Sequence, residues 1–240
     1  MASNNPKAKA DLENCRLEAQ HEVYKNSFDS QLVFAPLQSV DSIRVLDSAG
    51  ANGYWVRDYR DSLPQTVRDH PESLFVCADV NPLMLAKESE RNGSIQYNTF
   101  DLVHQRLAIS ASKKVPLVDT IKRFATLLKP GSGWLQLVEI ETSSDSSKEN
   151  DYLAMEDFKY LLHKVSSTMG VRPYFANGLA EDLRDAGLVD IQEKRIQVRF
   201  GRAIYENEEL FKRSIAYPGL PWFAEGFKDW KPSSKKEEVR

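Results

Sequence analysis

From residue 43 onward, short apolar runs alternate with helix-like segments, and turns of small or polar residues separate them. That alternation constrains the fold more than any other feature of the chain. Strands alternating with helices must run parallel, because each crossover helix returns the chain to the same end of the sheet. Ile43-Arg44-Val45-Leu46 predicts a strand closed by Asp47. Gly53 to Ser62 predicts a helix, with Pro64 just past its end. Leu74 to Ala78 predicts a second strand ending at Asp79, and Asn81-Pro82 supplies an N-cap and a first helical position. Phe100 to His104 and Trp134 to Ile140 predict two further strands. Between them Pro116 to Leu128 carries Leu117, Ile121, Phe124, Ala125 and Leu128 on one helical face and stops at Lys129-Pro130-Gly131. Tyr152 to Met169 and Gly178 to Ala186 predict helices, the second ended by Gly187. Ile191 to Phe200 alternates at Ile196, Val198 and Phe200, which predicts an antiparallel edge strand. The expected architecture is α/β, a mostly parallel sheet with one antiparallel edge strand and helices on both faces.

Residues 1–240 are expected to form a single domain, with Asp11 to Phe28 helix-compatible and residues 1–10 and 231–240 disordered. The formal net charge is -3, and no basic stripe suggests a nucleic-acid partner. The mixed run Lys235-Lys236-Glu237-Glu238 reads as a solvated terminus. Met1 to Lys9 is polar and shows no secretory signal, and no apolar run approaches the length of a membrane span. Cys15 and Cys77 are far apart and match no metal spacing. A buried, reduced Cys77 in an apolar run fits a cytoplasmic protein. No His, Cys or Asp cluster has metal-ligand spacing, and no nucleophile elbow is present.

In an open α/β sheet, ligands bind beyond the carboxyl ends of the strands, where strand order reverses. The first candidate is therefore the turn Asp47-Ser48-Ala49-Gly50-Ala51-Asn52-Gly53. Small residues there let backbone approach a ligand, and the next helix offers free N–H groups and a positive dipole end. The same composition also suits an ordinary strand-to-helix turn. The second candidate is Asp79, whose carboxylate could accept hydrogen bonds from two ribose hydroxyls or simply cap the helix beginning at Asn81. Together the two positions point to an adenosine-bearing ligand, either NAD or S-adenosylmethionine (SAM). His104 and Arg106 follow the Phe100 strand: His104 is a candidate general base or a hydrogen-bonded scaffold residue, and Arg106 an anchor for an anionic acceptor or the partner of Glu139 or Glu141. His163 and His70 read as a helical packing residue and a loop residue. The aromatic segment Tyr217, Trp222, Phe223, Phe227 and Trp230 fits a pocket cap or a packing surface.

Four blocks carry a more specific signal. Asn98-Thr99-Phe100-Asp101-Leu102-Val103-His104-Gln105-Arg106-Leu107 resembles the fourth-strand signature of fungal class I SAM-dependent methyltransferases of secondary metabolism. Leu127-Leu128-Lys129-Pro130-Gly131-Ser132-Gly133-Trp134-Leu135-Gln136-Leu137-Val138-Glu139 resembles their turn into strand five. Val45 to Asp58 resembles their cofactor loop, and Gln20-His21-Glu22-Val23-Tyr24-Lys25-Asn26 their N-terminal helix. The group includes the N-methyltransferases of gliotoxin-type epipolythiodioxopiperazine pathways and, more distantly, LaeA-like regulators. The resemblance covers residues 17–201 and implies a Rossmann-like class I methyltransferase fold, SAM as cofactor, a small-molecule acceptor and N- or O-methylation. It implies cofactor contacts from Asp47, Ser48, Ala49, Gly50, Asn52, Gly53, Asp79, Val80 and Tyr24, with His21 and Tyr24 as a lid over the cofactor or as packing residues of the N-terminal helix.

Two departures stand out. Ala49, Ala51 and Asn52 occupy places where the family loop usually carries glycine or an acid: the methyls of Ala49 and Ala51 narrow the approach of a ligand, and Asn52 keeps hydrogen-bonding capacity but loses charge. The interval from Asp79 to Asp101 is short: Leu83 to Arg91 can form its helix, but Ser94-Ile95-Gln96-Tyr97-Asn98 leaves only a remnant of a third strand. The loop that meets adenine in this family would then be reduced. That favours an alternative, a degenerate methyltransferase-like protein with weak or no SAM use, acting as a binding or regulatory partner or a repurposed enzyme. An NAD-dependent oxidoreductase is a third possibility, opposed by the later blocks.

Overall fold

The computed structural model describes residues 6–37, 41–79, 97–108, 116–140 and 176–198, together with 160, 161, 163, 164, 167 and 168. It divides into two compact units, residues 1–30 with 196–240 and residues 31–195.

In the first unit α1 spans Pro6–Ser27. The helix begins inside the stretch expected to be disordered, with proline in its first turn, where a missing N–H costs nothing. His21, Val23 and Tyr24 are buried on it, Val23 packs with Val198, and the rings of Tyr24 and Phe28 meet edge-to-face at 5.7 Å.

In the second unit the elements run β1 (Arg44–Ser48), α2 (Tyr54–Ser62), α3 (Gln65–Arg68), β2 (Leu74–Ala78), β3 (Leu102–Arg106), α4 (Leu117–Ala125), β4 (Trp134–Val138) and α5 (Leu179–Asp185). The four strands form one sheet in the order β2-β1-β3-β4, parallel at every pairing. The chain leaves β1 toward β2 on one side and returns to β3 on the other, so strand order reverses at β1 and β3.

Alternate side chains serve opposite faces of the sheet. Val45, Phe75, Leu102 and Trp134 meet Trp55, Val56 and Tyr59 of α2 in one core. Leu46, Val76, Val103 and Leu135 meet Phe124 of α4, Leu128 and Leu188 in the other. Burial of Tyr59, helped by the Asp101 charge, pushes its phenol up to about 12. Segment 31–37 is tied to the sheet by Gln136, whose amide donates to the Leu32 carbonyl at 3.0 Å and accepts from the Phe34 N–H at 2.7 Å. Asp101 accepts from the Arg44 N–H at 2.8 Å and pairs with Lys129 at 2.7 Å, fixing the turn before β4. That turn needs glycine at 133, because a Cβ there would lie 2.7 Å from the Lys129 nitrogen and 2.8 Å from the Phe100 carbonyl oxygen. Gly187 closes α5 with φ 88°, its N–H bonded to the Arg184 carbonyl at 2.8 Å.

Among the described residues the antiparallel edge strand expected over 191–200 does not form: residues 191–198 join no ladder, and every pairing in the sheet is parallel. Alternation at Ile196 and Val198 gives the segment one apolar side, and an apolar side does not by itself find a partner strand. Residues 199 and 200 lie outside the described residues, as do Ser94 to Gln96 of the expected third-strand remnant, the helix expected over 83–91, the aromatic segment 217–230 and the 231–240 tail. Of the helix expected over 152–169, the described residues, His163 among them, are helical. Three strand boundaries moved inward, β1 beginning at Arg44 and not at Ile43. Phe100 makes a single bridge to Leu128 ahead of β3, and Ile140 is exposed beyond the end of β4.

Candidate functional site

Parallel pairing places Cys77, Asp47, His104 and Gln136 side by side in one row across four strands. All four are buried, so polar groups form a belt just below the carboxyl ends of an otherwise apolar sheet face. Asp47 Oδ1 lies 2.9 Å from His104 Nδ1, with both side chains nearly inaccessible to solvent. A carboxylate can only accept, so Nδ1 carries the proton in this pair. The Trp55 indole stacks on the His104 ring, with centroids 3.6 Å apart and planes 5° from parallel. Tyr59 stacks in turn on Trp55 at 5.6 Å. Asp47 Oδ2 and His104 Nε2 are buried without a hydrogen-bond partner among the described residues. Burial holds the His104 imidazole below its ordinary value, against the hydrogen bond and charge of Asp47; the Arg106 charge adds to the lowering.

Above this belt the chain turns through Ala49 to Gly53 into α2. Ala49, Ala51 and Gly53 adopt left-handed backbone, with φ of 56°, 50° and 72°. The glycine at 53 adopts it without penalty, whereas each alanine is strained. Gly50 cannot carry a side chain: a Cβ would lie 2.5 Å from Asp47 Oδ2 and 2.8 Å from the Cys77 sulfur. Its N–H donates to the Ala78 carbonyl at 3.1 Å, and the Gly53 N–H donates to the Gly50 carbonyl at 2.8 Å. Asp79 crosses from the end of β2, its Oδ2 accepting from the Ala51 N–H at 3.0 Å. Cys77 donates to the Ala51 carbonyl at 3.7 Å. Asn52 is buried, accepting from the Tyr54 N–H at 3.1 Å, while its carbonyl takes the Arg57 guanidinium at 2.5 Å.

The structure thus brings Asp47, Ser48, Ala49, Gly50, Asn52, Gly53 and Asp79 together at the switch point, with His104 directly beneath. Arg106 ends β3 opposite Val138, and neighbouring Glu139 accepts from the Ala108 N–H at 2.9 Å. Tyr24 belongs to the other unit, and Val80 lies outside the described residues. Sequence reasoning missed Trp55, Cys77 and Gln136. An aromatic residue two places after the loop glycine was the available signal for Trp55. The other two emerge only from strand register.

The arrangement has what an adenosine-bearing sulfonium ligand needs: closely approachable backbone at a helix start, a carboxylate at the adjacent strand end and a buried, unpartnered carboxylate oxygen under the loop. No family model matches the chain. Over 206 residues it is 34% identical to methyltransferase psoC of Aspergillus fumigatus, covering 83% of this chain and 73% of that protein. It is 26% identical to N-methyltransferase sirN of Leptosphaeria maculans, covering 80% and 69%. It is 27% identical to N-methyltransferase gliN of A. fumigatus, covering 80% and 70%. Among solved structures, it matches a chain from the complex of the Haloferax volcanii Trm112 methyltransferase activator with a methyltransferase at TM-score 0.54 and 17% identity, over 90% of this chain and 95% of that one. It also matches Haemonchus contortus phosphoethanolamine N-methyltransferase 2, solved with phosphomonomethylethanolamine and S-adenosylhomocysteine, at TM-score 0.52 and 19% identity, over 84% and 48%. At those identities the two structures establish a shared fold.

Proposed function

Since this chain belongs to the fungal methyltransferases of secondary metabolism, we propose that it moves a methyl group from SAM to a nitrogen or oxygen of a small metabolite. One observation supports the cofactor reading most directly. The Asp79 carboxylate bonds to the Ala51 N–H, so the small-residue loop and the strand-end acid form one continuous surface. In this reading the backbone of Asp47 to Gly53 holds the methionine end of the cofactor. Asp79 holds the ribose. Bound SAM supplies a methyl group activated by the sulfonium. The chain's own residues orient the acceptor, exclude water and hold charge where it is needed. Arg106 is assigned to an anionic group of the acceptor. His104 was a candidate base; its ring, held between Asp47 and Trp55, supports a fixed, positioning role instead. The free thiols at Cys15 and Cys77 suit a reducing, cytoplasmic setting. Among the described residues no helix is long and apolar enough to cross a membrane.

Nothing observed favours a degenerate, non-methylating protein. The test is calorimetric titration of the full chain with SAM, S-adenosylhomocysteine and NAD. Saturable heat is expected with the first two. Binding of NAD with none of SAM would overturn the reading.

A further inference from the structure

The loop Ala49 to Gly53 is closed at both ends on a single imidazole. Asp47, two residues before the loop, binds His104 at its Nδ1 edge at 2.9 Å. Trp55, two residues after the loop, lies flat on the same ring at 3.6 Å. Gly50 rests against the Asp47 carboxylate so closely that no side chain fits between them. His104 is fixed to the sheet through its β3 backbone, between Asp47 on β1 and Gln136 on β4. Its position therefore sets the separation of the loop's two anchors. A shift of the ring would have to move Asp47, Trp55 or both.

We infer that His104 and Trp55 are positioning residues that set the span of the cofactor loop, with the imidazole as the spacer between its two ends. This rests on the cofactor reading above. A stacked, hydrogen-bonded ring is rigid in both its position and its tilt, and a ligand held against a tight backbone loop is sensitive to displacements of well under an ångström.

The experiment is calorimetric titration of full-chain variants with S-adenosylhomocysteine, with thermal melts in parallel. His104→Phe keeps a ring for Trp55 and removes the donor to Asp47. Trp55→Leu keeps the Asp47 bond and removes the stack. Each is expected to weaken binding by about tenfold or more, the scale of a small misplacement of binding groups. Trp55→Phe restores the stack and should bind within about threefold of the parent. Ile121→Val, on α4 at the opposite face, is the stability control: it should lower the melting temperature and leave affinity unchanged. If His104→Phe fails to fold, Trp55→Leu against Trp55→Phe decides. A parent chain that binds, with Trp55→Leu binding equally well, overturns the positioning role alone. A parent chain that does not bind removes the cofactor reading and the positioning role with it. The His104 ring supplies a readout independent of activity: its Nδ1–H should stay slow to exchange with solvent in Trp55→Phe and exchange faster in Trp55→Leu, where the ring loses its second support.

Discussion

At the residue scale, His104 couples the chain's stability to pH. Its folded imidazole sits below the ordinary value of 6.5 chiefly because burial disfavours the cation. Below that pH the unfolded chain takes up a proton that the folded chain refuses, so the unfolded state binds more protons and stability falls as pH drops. Urea melts at a series of pH values should show this loss on the acid side of 6.5 and a shallower slope in His104→Phe; parallel slopes would remove His104 as the source. Asp79 makes a different kind of contribution. Asp79→Ala should weaken S-adenosylhomocysteine binding by about 1.5–3 kcal/mol, the scale of hydrogen bonds to a charged group, and should also lower the melting temperature, because the Ala51 N–H loses its acceptor. An unchanged dissociation constant would take Asp79 out of the site. Gly50→Ala should cost about 1–3 kcal/mol in chemical denaturation, because its methyl must displace the Asp47 carboxylate or the Cys77 sulfur. Asp47, Asp79 and Gly50 were legible from the sequence because each sits at a strand end or turn with a recognisable composition. The Asp47–His104 bond was not, since it joins positions 57 apart in the chain and depends on the register between β1 and β3.

At the element scale, strands β1 to β4 were legible because each is an apolar run bounded by a turn signal, and β2 matched over its full length from Leu74 to Ala78. The misreading of 191–200 has the opposite cause. Glu193, Lys194 and Arg195 are exposed there, and among the described residues 191–198 join no ladder. Gln136 shows what sequence patterns conceal, a polar residue in mid-strand that ties down a neighbouring segment through both ends of its amide. Gln136→Leu leaves the Phe34 N–H and the Leu32 carbonyl without these partners and should destabilise the protein by about 2 kcal/mol in urea denaturation. A loss below about 0.5 kcal/mol would mean that segment 31–37 is held by its apolar contacts alone.

On the scale of the whole molecule, the order β2-β1-β3-β4 puts the reversal of direction at β1 and β3, and every site residue argued from the second unit lies within a few positions of that point. The alternation of elements made this architecture legible before any residue was assigned a role. The two cysteines, which take no part in the proposed chemistry, turn the same architecture into a timing device. Cys15 is exposed on α1, and Cys77 is buried beneath the loop, bonded to Ala51. A thiol-specific dye should therefore label the chain in two phases, one immediate and one limited by how often the loop lifts away. Whatever holds that loop shut must slow the second phase and leave the first untouched. On the proposed cofactor reading, S-adenosylhomocysteine should slow the second phase and leave the first untouched, which an absorbance trace reads before any acceptor has been identified. Single-phase labelling of both thiols would show that the lid over Cys77 is open most of the time.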